Sequence, residues 1–434
     1  MLPRKRTNKG EGSASVAESV SPAPRDADSG ETTEEYPRFQ PSNRRPRRSD
    51  GVKWFPVVKR LFYVSLLVLV PMILNYAALN HEMRVLPPKG AVVYDIGWGQ
   101  KLLLHCTGSG LPTVVLEAPI GQASYVWSRV QPILARQTRV CSYDRAGLGF
   151  SDRAYQNTSR YTEDYGNATR DRDKTHPSTI ERMVEDIHKL LTVASNQPRP
   201  FIMVSSDFTT MISRFYAQLY EYELAGLLLI DPAPETIFDP NTPSSPSPPG
   251  TEDEYLATET LDNNPWTTHW YRKTVPHLQS LHMSGSLGFN RLGLMAGLMA
   301  PVEVPELSGV LTDDIIAIKK HLLCQPKHLS SAFDEYYFMN ESISQLKTMF
   351  RLKPFPDLLT NIATFKKPSE TLPQELTKIW RREQERMIKR FHHGSYRISL
   401  PGSDYVSLYQ HPGAVAQTIM DMVKDWRQYS SAAE

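Results

Sequence analysis

The chain is predicted to be an α/β protein: a doubly wound, mostly parallel sheet with a helical insertion, preceded by one membrane-crossing helix. Three observations carry this prediction. Short β-type runs alternate with helix-length periodic stretches from residue 91 onward, which implies right-handed crossovers. A proline-rich break at 232–250 separates those alternating units from a mainly helical region. Leu61–Leu79 is nineteen residues without a charge, about the length that crosses a hydrocarbon core.

Taken in order, residues 1–56 are rich in Pro, Ser, Glu, Arg and Lys, poor in aliphatics, and read as a basic disordered tail. Residues 57–80 read as a transmembrane signal anchor, apolar on all sides. Pro71 within it is tolerated by a membrane helix. Seven Lys/Arg lie in residues 41–60, against Arg84, Lys89 and Glu82 on the other flank. The positive-inside rule then places the N-terminus in the cytoplasm and the rest in a lumen or outside the cell, as a single-pass type II protein. The basic cluster also suits contact with anionic lipid. On the far side, the sequons at Asn157, Asn167 and Asn340 become glycosylation candidates.

Residues 91–235 form the first part of the core. Val92–Tyr94 and Lys101–Cys106 read as an antiparallel lead-in, 113–117 as a buried strand, 127–135 as a helix and 138–143 as the next strand. The polar stretch 152–178 reads as an exposed loop. Ile180–Val193 is a helix, with Ile180, Met183, Val184, Ile187, Leu190 and Leu191 on one face. Phe201–Val204 is a strand that runs into a sharp turn and the helix 211–220, and 224–230 is the strand after it. Residues 236–352 are read as a proline-rich linker and helical cap. Leu292–Val304 competes as a second membrane span, but it is short and broken by Gly and Pro, so a cap helix is expected. Residues 353–429 complete the core with strands at 357–365 and 396–400 and helices at 373–391 and 412–426.

A net charge of +2 argues against nucleic acid as the main partner. Cys106, Cys141 and Cys324 are too few for a disulfide framework or a zinc site. Cys106 and Cys141 fall on strands that should be neighbours. A bridge between them stays open, but buried free thiols are expected, since free cysteine packs well in cores. The sequence calls for no cofactor and no metal.

Several stretches together are similar to the α/β-hydrolase superfamily: His105–Gly108, Pro112–Ala118, Trp127–Pro132, Thr138–Gly147, Gly149–Asp152 and Leu224–Pro232. The resemblance covers roughly residues 91–235 and 354–427. It implies a nucleophile elbow after the strand at Phe201, with Asp207 at the nucleophile position and Ser205 and Thr209 where the G-x-S-x-G frame has glycine. Relatives on this fold that use an Asp nucleophile form an alkyl-enzyme ester. Here β-branched Thr209 is expected to crowd the turn and relax it. The histidine that would take the proton falls on Tyr405, or on Asp404 after a one-residue gap, and neither is the usual base. His411 is expected at the surface or as a cap. The acid candidate is Glu370, with Asp231 as a carboxylate at the end of the preceding strand. Oxyanion donors would be the N–H groups of Ile120 and Phe208, with Pro119 where relatives usually have glycine.

Two functions follow. The first is a hydrolase-fold domain that has lost triad catalysis and works in binding, with a small apolar ligand in the cap cleft and the bilayer held through Leu61–Leu79. The second is an active hydrolase of an ester, lipid or epoxide-like substrate that uses Asp207 as nucleophile.

Overall fold

The computed structural model describes residues 54–154, 178–194, 197–239, 264–302, 307, 309–367, 372–389, 391 and 396–433. Residues 1–57 and 58–434 are separate units, and the sheet, the cap and the site belong to the second. In chain order the regular elements are α1 (Trp54–Val85), β1 (Val92–Asp95), β2 (Lys101–Thr107), β3 (Thr113–Leu116), α2 (Gln131–Leu134) and β4 (Val140–Tyr143). These are followed by α3 (Ile180–Val193), β5 (Phe201–Ser206), α4 (Thr210–Leu219) and β6 (Leu224–Ile230). The cap supplies α5 (Pro265–His269), α6 (Val275–Ser286), α7 (Phe289–Met295), α8 (Asp313–Cys324), α9 (Pro326–Tyr337) and α10 (Met339–Leu352). The core resumes with β7 (Thr360–Phe365), α11 (Gln374–Ile388), β8 (Tyr396–Leu400), α12 (Ser407–Gln410) and α13 (Pro412–Ala433).

The eight strands form one sheet in the order β1-β2-β4-β3-β5-β6-β7-β8. β1, β2 and β4 pair antiparallel, and every pairing from β4 to β8 is parallel. The antiparallel lead-in and the parallel body are both as the sequence predicts. The central strands are apolar throughout because both faces are covered, and successive side chains point to opposite faces. Val115, Met203 and Leu229 face a layer that includes α3 and α4, with Ile187, Phe215 and Tyr216. Val114, Leu116, Val204 and Leu228 face the other layer, with Trp127, Leu134, Ile419 and Val423. The elbow follows β5 at the middle of this sheet.

Several local expectations are corrected. The helix predicted at 127–135 is a short 3-10 turn, Ser124–Trp127, followed by the single-turn α2. Cys106 and Cys141 are not free thiols but a disulfide, while Cys324 is a buried free thiol. The reason is register: the two residues stand directly opposite each other on antiparallel β2 and β4, with Cα atoms 4.0 Å apart. Removing the bridge by Cys106→Ala with Cys141→Ala is expected to lower stability by about 2–4 kcal/mol, read from denaturant unfolding under non-reducing conditions.

α1 is long and apolar enough, by length and composition, to cross a membrane. It contains the predicted Leu61–Leu79 run and continues to Val85. Asn340 is exposed on α10, whereas Asn157 and Asn167 lie outside the described residues.

Candidate functional site

β5 ends in a turn that holds Asp207 in the left-handed region, at φ 58°, before α4 begins. The expected relaxation of the elbow does not occur. Ser206 is still extended (ψ 154°), and Thr209 has already returned to the helical region at φ −71°. Only one residue therefore carries the strain, and Asp is among the non-glycine residues that tolerate it. Thr209 avoids crowding because its hydroxyl donates to the Ser206 carbonyl at 2.7 Å, folding the branched side chain back over its own turn. The Thr210 hydroxyl donates in the same way to the Asp207 carbonyl at 2.6 Å.

Asp207 opens onto a cavity of about 750 Å³ between the sheet and the cap. Three more carboxylates line it: Asp231, Asp404 and Glu385, the last paired with Arg397. Asp231, at φ 47°, directly follows β6 and accepts a hydrogen bond from Gln384 Nε2 at 2.9 Å. Asp404 follows β8, and its Oδ1 accepts the Val406 N–H at 3.0 Å. Burial is the main cause of an Asp207 pKa raised to about 8, and the nearby Asp231 and Asp404 push it the same way. The Phe208 N–H donates to the Asp207 carboxylate and only partly offsets this. Burial likewise raises Asp231 to about 6, against the hydrogen bond from Gln384. Burial and the nearby carboxylates both favour the protonated form of Asp207. A protonated carboxyl can donate a hydrogen bond, but it is a poor nucleophile.

The positions expected to supply the base, Asp404 and Tyr405, both line the cavity. His411 is exposed between α12 and α13, as expected for a surface position, and does not line the cavity. Among the described residues, the imidazole on the cavity wall is His269, from the cap helix α5. Sequence reasoning missed it, because the hydrolase frame gives no position for a cap side chain. Burial and Lys273 lower its pKa, so it is neutral at pH 7. His392, His393 and the acid candidate Glu370 lie outside the described residues. Asp231 stands beside Asp207 electrostatically and is the strand-end carboxylate that the site contains. Of the two oxyanion donors, Ile120 lines the cavity, while the Phe208 N–H is engaged by the Asp207 carboxyl.

Aromatic side chains form one part of the wall. Phe208 packs against Trp270 and Trp380 at ring-centroid distances of 4.8 and 5.3 Å, and Trp270 stacks on Tyr336 at 4.7 Å. Lys366, Lys367, Arg381 and Arg397 also border the cavity. The result is a mixed chamber, with an aromatic cluster on one side and carboxyl, hydroxyl and basic side chains around the rest.

A buried network beneath the chamber was also missed, although Arg145 lies in a stretch that carries the resemblance. Arg145 Nε and Nη2 donate to the two Glu335 oxygens at 2.6 and 2.8 Å, and Nη1 donates to Glu117. Tyr143 also donates to Glu117. Arg145 further donates to the carbonyls of Ala118 at 2.6 Å and Pro119 at 3.0 Å, and Glu335 accepts the Gly121 N–H at 2.7 Å. One guanidinium thus fixes the 118–121 loop to the cap helix α9. Burial holds the Glu117 carboxyl above its usual range in spite of Arg145.

Comparisons with known proteins agree with this architecture. A family model described as the alpha/beta hydrolase fold matches residues 109–320. The uncharacterized protein YqjL of Bacillus subtilis (strain 168) is 27% identical over 129 residues, which is 30% of this chain and 43% of that protein. The match therefore spans less than half of that relative. Among solved structures, the Cif epoxide hydrolase from Acinetobacter nosocomialis has a TM-score of 0.55 at 14% identity, covering 81% of this chain and 97% of its own. A point mutant of a putative epoxide hydrolase from Pseudomonas aeruginosa scores 0.52 at 14% identity, covering 79% and 99%. Cfl2 from Burkholderia cenocepacia scores 0.51 at 18% identity, covering 77% and 95%. The chain has the α/β-hydrolase fold.

Proposed function

We propose that this chain is a divergent member of the α/β-hydrolase superfamily, anchored by α1 with its main domain lumenal or extracellular, and that its cavity binds a ligand rather than cleaving one. The observation that carries the reading is the make-up of the cavity floor. Asp207 stands at the nucleophile position beside Asp231, and the base position offers Asp404 and Tyr405 instead of an imidazole. Loss at either position alone typically costs several orders of magnitude in rate. The ligand class that suits the chamber is a small, largely apolar molecule whose polar head accepts a hydrogen bond from protonated Asp207.

Calorimetric titration of the full chain with linear primary alkanols of increasing length tests this. Each added methylene is expected to tighten saturable binding about fourfold, from about 0.8 kcal/mol per buried CH₂. Trp270→Ala should abolish that trend. Affinity that does not depend on chain length, or that Trp270→Ala leaves intact, would contradict the reading.

A second reading, an active hydrolase, is favoured by one specific observation: the strained φ of Asp207 persists, and such strain clusters at functional sites. In that reading neutral His269 supplies the base, and His269→Gln would remove turnover.

A further inference from the structure

α1 changes character along its length. Its side chains from Leu61 to Val70 are almost all exposed, and from Pro71 one face turns onto the cap. Asn75 Nδ2 donates to the carbonyls of Gly285 at 3.2 Å and Cys324 at 3.0 Å, and its Oδ1 accepts from Arg291 Nε at 2.9 Å. Arg291 also grips Glu82 through both terminal nitrogens, at 2.7 and 2.8 Å. The start of α7 comes closer still. At Gly288 (φ +78°), a Cβ would lie 2.4 Å from the Pro71 carbonyl oxygen, so only glycine permits this approach.

That contact fixes a depth. Pro71 lies ten residues beyond Leu61 in the charge-free run, or about 15 Å along a helix at 1.5 Å per residue. This is about half of a 30 Å hydrocarbon core. Where α1 crosses a bilayer, whatever touches Pro71 lies within the leaflet on the cap's side.

The surface of α7 suits that place. Met295 is 79% exposed and Leu298 87%, beside the exposed Phe289 and Leu292. The polar side chains of α7 face inward: Asn290 donates to the carbonyls of Leu281 and Leu323, and Arg291 pairs with Glu82. No charged residue occurs between Arg291 and Glu303. The turn after α7 is also satisfied internally, as a hydrocarbon environment requires. The N–H groups of Ala296, Leu298 and Met299 donate to the carbonyls of Leu292 and Gly293 at 2.8–3.1 Å.

We propose that the segment Phe289–Leu298 is embedded in the same leaflet as the outer half of α1, as a re-entrant element whose occupant is lipid acyl chain. An apolar stretch of this length is too short to span, and its exposure rules out a core helix. The inference rests on the membrane reading of α1.

The test uses the full chain in proteoliposomes, with single cysteines introduced as Met295→Cys or Leu298→Cys. Leu67→Cys reports on α1, and Tyr222→Cys, at a position 94% exposed, reports on water. The native cysteines do not compete, being bridged or buried. Each site carries a nitrobenzoxadiazole probe, quenched by spin-labelled lipid. Positions 295 and 298 are expected to lose fluorescence to lipid spin-labelled along the acyl chain, with position 222 unaffected. Quenching at 67 but not at 295 or 298 would overturn the inference and leave the anchor standing. No quenching at 67 would overturn both. Cross-linking between copies at position 298 in place of lipid quenching would assign the surface to a second copy of the chain and overturn it as well.

Discussion

Arg145→Leu is expected to destabilise the domain by about 3–5 kcal/mol, the range for breaking a buried ion pair from one side. Arg145 sits between Glu117 and Glu335, and all three side chains are at most 3% exposed. Its removal leaves two buried carboxylates facing each other with no cation between them. The carbonyls of Ala118 and Pro119 lose their donor in the same step. Arg145→Lys should recover little, because a single ammonium cannot reproduce a fork that engages two carboxylates and two carbonyls. Thermal unfolding of the full chain in detergent micelles, followed by near-ultraviolet circular dichroism, checks both variants. A loss under about 1 kcal/mol for Arg145→Leu would mean that the network contributes little to stability.

The second large effect is expected at Asp207 and depends on pH. A carboxyl raised in the folded state binds its proton more tightly when folded than when unfolded. Its contribution to stability is full below the unfolded pKa and falls as pH rises. It is gone above the folded value, here between about 4 and about 8. Complete conversion of that shift would be roughly 5 kcal/mol. Asp207 faces a cavity that admits water, so about 2 kcal/mol is the size expected. Asp207→Asn, which keeps the shape without the charge, should match the unsubstituted chain near pH 4–5 and unfold several degrees higher at pH 8. Equal melting temperatures at both pH values would show that Asp207 ionises freely. Asp231, raised to about 6, adds a smaller dependence of the same sign that Asp207→Asn leaves in place.

The frame of the fold was legible in the sequence because the central parallel strands β3, β5 and β6 are covered on both faces and read as largely apolar runs. Ile180–Val193 and Leu224–Ile230 match the observed α3 and β6 residue for residue. The site was legible where it belongs to strand ends: Asp207, Asp404 and Tyr405 all reach the cavity. It was not legible where it depends on elements far apart in sequence. His269 arrives on a cap helix, and Glu335 reaches Arg145 across 190 residues. Thr209 was misjudged for a different reason. Crowding at the elbow was inferred from residue type, but at φ −71° the threonine needs no left-handed backbone, and its hydroxyl finds a carbonyl within its own turn. The Cys106–Cys141 bridge depended on which residues stand opposite across β2 and β4, a matter of register rather than composition.

Turnover separates the proposed binding role of the cavity from hydrolysis. The purified full chain should be assayed in micelles against short-chain p-nitrophenyl esters and small epoxides, beside its Asp207→Asn variant. No hydrolysis above background is expected for either protein. Turnover by the unsubstituted chain that Asp207→Asn abolishes would contradict the binding role and make Asp207 a working nucleophile.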